Sequence, residues 1–136
     1  MALDLLTDVA DKIAQARLPD SISHAISISK ITALLKHNGR VRGIATGDTL
    51  RRMVTKCLAR QFQETFRRIV APENFGIADR SGTDALVHMR RSLLEQDSEC
   101  TLLSIDGSGA FDHIARVRMF EELYNHSELR QLIPFV

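Results

Sequence analysis

The sequence predicts an α+β fold, helix-rich and carrying one β-hairpin. Three observations predict it: long stretches of apolar residues at helical spacing, two short apolar runs joined by His37-Asn38-Gly39, and one later apolar run ending in an acidic, glycine-rich loop. At 136 residues, with 44% apolar and 26% charged residues, the chain has the balance of a folded globular protein, enough for one core. Disordered and fibrous classes are excluded on that balance.

Leu6, Val9, Ala10 and Ile13 recur at helical spacing, so residues 3–16 read as an amphipathic helix ending near Pro19. Residues 20–29 mix Ser, Ile and His without a clear period and leave their structure open. Ile31–Lys36 and Arg40–Ala45 then flank Asn38-Gly39. This is the strongest short-range hairpin signal, because both turn residues tolerate the positive φ of a type I′ turn. Asp48 is the expected N-cap of the clearest helix, whose apolar stripe includes Leu50, Met53, Val54, Cys57, Leu58, Phe62, Phe66, Ile69 and Val70. Pro72 ends it.

A second helix is expected from Ser81, with Ser81 and Asp84 as a capping box and Leu86, Met89, Leu93 and Leu94 facing a core. Cys100–Ile105 reads as a buried strand, and the helix after it carries Ile114, Val117, Phe120 and Leu123. The apolar end Leu132–Val136 has no polar tail, which suggests that a partner element is missing.

The net charge of +1 conceals a local excess. Residues 39–68 hold eight bases (Arg40, Arg42, Arg51, Arg52, Lys56, Arg60, Arg67, Arg68) against only Asp48 and Glu64, which points to an anionic partner. A solvated helix face would give the same count. Cys57 and Cys100 match no metal-ligand spacing and read as buried, reduced thiols. An intracellular setting follows, with no export signal and no membrane partner. Arg51-Arg52 and Arg67-Arg68 are too short for import signals, so nucleus and cytoplasm stay unresolved.

Asp106, at the end of the expected strand, stands where a carboxylate can hold a divalent cation, while Asp112 reads as a second ligand or a helix cap. An EF-hand is excluded because setting Ser104 as position 1 puts Ala115 where the bidentate Glu belongs. A phosphate loop is excluded because no Gly-Lys-Ser/Thr follows.

Leu103-Ser104-Ile105-Asp106-Gly107-Ser108-Gly109-Ala110-Phe111-Asp112 resembles the first palm motif of reverse transcriptases, especially those of non-LTR retrotransposons. Gly39-Arg40-Val41-Arg42-Gly43-Ile44, followed by Gly47 to Met53, resembles their fingers segment. Asn74-Phe75-Gly76 and Ser81 to Ala85 resemble the next one. Gly43 and Asn74 depart from the Pro and Gln of many members.

The resemblance implies a partial fingers and palm with one palm strand: an N-terminal helical segment at 1–28, a fingers-like region at 29–97, and at 98–136 the start of a truncated palm. It implies an RNA-directed DNA polymerase, a nucleotidyltransferase using Mg²⁺ on Asp106. Gly107 would contribute a backbone oxygen, and Phe111 would screen the incoming sugar against a 2′-hydroxyl. Arg42, helped by Arg40, would hold the nucleotide, because a planar guanidinium suits phosphate. Arg52, Lys56, Arg60 and Asn74 would meet an RNA or DNA template-primer. Two-metal phosphoryl transfer needs more carboxylates than Asp106, and the sequence contains no Asp-Asp pair. The expectation is a fragment inactive by itself, the rest of the polymerase domain being missing; the alternative is a non-catalytic nucleic-acid-binding or interaction module.

Overall fold

A computed structural model describes residues 1–77, 80–107, 109–110 and 113–136. The elements run α1 (Ala2–Ala14), α2 (Asp20–Ser27), β1 (Lys30–Leu35), β2 (Val41–Thr46), α3 (Thr49–Val70), α4 (Gly82–Gln96), α5 (Arg116–Asn125) and a 3₁₀ turn, Ser127–Leu132. Helices with one two-stranded antiparallel sheet make the class α+β. Packing divides the chain into two units, Met1–Gln61 with Leu129–Val136, and Phe62–Glu128. These follow the proximity of the backbone, whereas the segments 1–28, 29–97 and 98–136 follow motifs.

In the first unit, Ile13, Val54, Leu129 and Leu132 are buried. α2 forms where the sequence left the structure open: Pro19 precedes it with a φ of −56°, and Ile22 and Ile26 supply only one apolar pair at helical spacing, too weak a period to recognise. The apolar C-terminal residues belong to this unit. Leu132 is buried, and the Arg51 guanidinium lies 5.5 Å from the centre of the half-buried Phe135 ring.

The hairpin pairs Leu35 with Val41, Leu34 with Arg42 and so on to Lys30 with Thr46. Its turn is not the expected type I′. Among the turn residues only Gly39 has positive φ, at 76°. The Gly39 N–H donates to the Lys36 carbonyl at 3.0 Å and the Lys36 N–H to the Arg40 carbonyl at 2.8 Å. This is a three-residue loop closed by a left-handed glycine. Asn38 keeps negative φ and its Oδ1 accepts from the Arg40 N–H at 3.1 Å. A Cβ at position 39 would meet nothing within 4 Å. Gly39→Ala should therefore cost only the conformational penalty, about 1 kcal/mol, read as loss of hairpin amide protection in hydrogen exchange.

α3 begins as expected. Asp48 Oδ1 accepts from the Leu50 N–H at 2.8 Å, and the Asp48 carbonyl accepts from the Arg52 N–H at 2.9 Å. Cys57, expected to be buried, is exposed, and Cys100 is half-buried.

The second unit buries Phe62 and Leu123. Ser81 does not cap α4 as expected. It adopts the left-handed conformation, φ 57°, and its side chain makes no capping hydrogen bond, because a capping hydroxyl needs extended backbone at that position. Ser81→Gly should raise stability by roughly 0.5–1 kcal/mol, checked by urea unfolding, because glycine adopts this φ without a Cβ clash. Leu86, Met89, Leu93 and Leu94 remain 39–48% exposed, so α4 shows an apolar stripe that is only partly covered. Of the four apolar residues expected on the third helix, Leu123 is buried and Phe120 half-buried, while Ile114 precedes α5 and is exposed.

The expected palm strand is absent. Residues 101–107 form no strand, and Leu103 and Ile105 are 82% and 84% exposed. An extended apolar run becomes a strand only when a neighbour takes its backbone hydrogen bonds, and among the described residues the only strand pair is β1 with β2.

Large apolar side chains stand open to solvent in both units, Leu35 at 77% and Ile105 at 84% exposure among them.

Candidate nucleic-acid interface

On a two-stranded sheet, alternate residues share a face. The register puts Arg42, Ile44 and Thr46 on one face with Leu34, Thr32 and Lys30, while Ile31, Ala33, Leu35, Val41, Gly43 and Ala45 form the other. Arg40 lies immediately before β2, in the turn. Lys30, on the Arg42 face, was missed from the sequence alone because its side of the sheet follows only from the pairing register.

α3 supplies a second basic element. Arg52, Lys56 and Arg60 follow one another four residues apart, so they form one exposed row. Three arginines of the second unit have acidic partners. Arg67 pairs with Glu64 at 3.1 Å, Arg68 with Glu128, and Arg118 with Glu121 at 2.7 Å. The hydrogen bond to Glu128, followed by its negative charge, raises the Arg68 pKa above the ordinary arginine value. Among the described residues, no acid pairs with Arg40, Arg42, Arg52, Lys56 or Arg60. Asp48 and Glu64, each four residues from an end of the row, are both engaged, Asp48 as the helix cap and Glu64 with Arg67.

Comparison with models of known families, with curated proteins and with solved structures finds no match. The chemistry of the site therefore rests on the residues themselves.

Asn74 turns its own loop: its Oδ1 accepts from the Gly76 N–H at 2.8 Å, leaving the amide nitrogen as the group available to a ligand. Asp106 and Gly107 lie on the exposed extended segment. A Cβ on Gly107 would make only an ordinary contact, 3.5 Å from the Ala110 Cβ, so no close approach requires glycine there. Phe111, Asp112 and Ser108 lie outside the described residues.

No three His, Cys, Asp or Glu side chains gather among the described residues. Among the described residues Asp106 stands on an exposed segment without a strand, and a two-metal centre would need further carboxylates beside it. Among the described residues, no helix is long and apolar enough to cross a membrane. The described residues present a row of cations on α3 and, on the hairpin, Arg40, Arg42 and Lys30; such charges attract phosphate.

Proposed function

We propose that this chain is the fingers and first palm segment of a reverse transcriptase of the non-LTR retrotransposon type, and that these residues by themselves bind a template-primer without extending it. The observation that carries this reading is the row of cations on consecutive elements with no acidic partner among the described residues, Arg40 and Arg42 at the hairpin and Arg52, Lys56 and Arg60 on α3. Their order agrees with the fingers motifs of that family. Arg42 is assigned to the nucleotide and the α3 row to the template-primer backbone. Polymerisation belongs to a parent enzyme that supplies further carboxylates beside Asp106, and Mg²⁺ would be held there.

The exposed, strandless setting of Asp106 favours a second reading, a nucleic-acid-binding module without catalysis. The two readings share the cations and differ over Asp106.

Fluorescence anisotropy with a labelled RNA–DNA primer-template tests both. Affinity is expected to fall steeply with salt, since each phosphate neutralised releases condensed counterions. An affinity indifferent to salt refutes both readings. Primer extension with Mg²⁺ and deoxynucleotides is expected to give no product, and any extension by these 136 residues overturns the carboxylate argument. Supplying the missing carboxylates on a downstream palm segment separates the readings: extension abolished by Asp106→Asn supports the polymerase, and none supports the module.

A further inference from the structure

Leu6, Val9 and Ala10 of α1 face Leu50, Met53 and Cys57 of α3 across an apolar groove of about 330 Å³, with Ile13 and Val54 buried at its base. The larger wall residues are incompletely covered: Leu6 is 44% exposed and Met53 48%. Water is a poor neighbour for such a surface, so its burial by an apolar partner is favourable.

The shape of the groove suits a helix. From Leu50 to Cys57 the α3 wall rises two helical turns, about 10 Å. An amphipathic helix presents apolar side chains at i, i+4 and i+7 over the same distance. The α3 bank is cationic. Met53, Cys57 and Arg60 lie in one line along α3, at i, i+4 and i+7, and Lys56 lies beside that line. Neither Lys56 nor Arg60 has an acidic partner among the described residues. Asp11 lines the α1 bank, while Asp8 is paired with Lys12 at 2.8 Å. The complementary occupant therefore has an acidic edge toward α3 and none toward α1.

A second copy supplies this poorly. The exposed stripe of α4, the other large apolar helix surface, carries Arg90 among Leu86, Met89, Leu93 and Leu94, and would bring a cation to a cationic bank. Nucleic acid has no apolar edge to fill the groove.

We propose that the α1–α3 groove docks an amphipathic helix of a partner protein, its apolar edge between Leu6 and Met53 and its acidic edge against Lys56 and Arg60. The claim does not depend on polymerase ancestry. Its test uses the full chain without nucleic acid, because Lys56 and Arg60 also belong to the row assigned to phosphate.

Two labelled synthetic helical peptides serve as probes. Both carry Leu at i, i+4, i+7 and i+11; one has Glu along a single flank and the other Lys at the same positions. The Glu peptide should bind at least about tenfold tighter than the Lys peptide, as expected for complementary rather than like charges. It should also slow iodoacetamide alkylation of the exposed Cys57. Met53→Asp should abolish Glu-peptide binding with the helical circular dichroism unchanged, because the side chain is already half exposed. The pair Lys56→Glu and Arg60→Glu should reverse the preference toward the Lys peptide, an outcome that general unfolding does not produce. Failure of the Glu peptide to bind, equal binding of both peptides, or a dimer of the free chain with Cys57 already protected would each overturn the proposal.

Discussion

Gly82→Ala is expected to destabilise the second unit by about 3 kcal/mol, the upper part of the usual range for overpacking. A Cβ built at this position falls 1.7 Å from the Phe75 carbonyl oxygen and 2.8 Å from its carbon. Both are backbone atoms, so no rotamer change can clear them. The Phe75 peptide is also held on either side, by the Gly76 N–H donating to Asn74 Oδ1 and by the Asn74 N–H donating to the Val70 carbonyl at 3.2 Å. Moving it breaks those bonds or shifts the start of α4. The urea midpoint measures the effect, with Gly43→Ala as the control, since its new Cβ would lie an ordinary 3.8 Å from Ile31 Cγ2. Equal midpoints for the two variants would mean that the close approach of α4 to the loop is not there in solution.

Gly82 also shows what was hidden in the sequence. Its motif, Ser81-Gly82-Thr83-Asp84, reads locally as a helix start with a capping box, and the helix is there. The reason for glycine is nonlocal, the Phe75 carbonyl pressed against the start of the helix, and no spacing rule reports it. The left-handed Ser81 has the same origin in backbone geometry that a motif does not specify. Asp48 and Gly39 were legible because their tasks are local: a side-chain cap two residues from its donor, and a positive φ in a short loop. The apolar run 101–105 illustrates the opposite case. Its composition satisfies strand propensity, but pairing is a property of a neighbour, and among the described residues no strand lies beside it. Periodicity likewise told which side of α4 is apolar and not how deeply it is covered. Of the candidate site, the α3 row was legible from its four-residue spacing, while the isolation of those cations from the acids of the described residues shows only in the folded chain.

That isolation makes the second large effect quantitative. Converting Arg52, Lys56 and Arg60 together to Ala is expected to lower the affinity for duplex nucleic acid by one to two orders of magnitude at low salt. At four-residue intervals the row spans about 12 Å of helix, comparable to three or four base-pair steps of about 3.4 Å, so each cation can meet its own phosphate. Each lost phosphate contact should remove about 0.9 from the slope of log affinity against log salt, or nearly 3 for the row. The residual slope would belong to Lys30, Arg40 and Arg42. Stability should change little, because the three side chains are exposed, have no acidic partner among the described residues, and are replaced by the residue of highest helix propensity. Arg68→Ala is the matched control, since that guanidinium is already committed to Glu128 and its removal should leave the slope intact. A triple variant with the wild-type slope would show that the row on α3 faces only water.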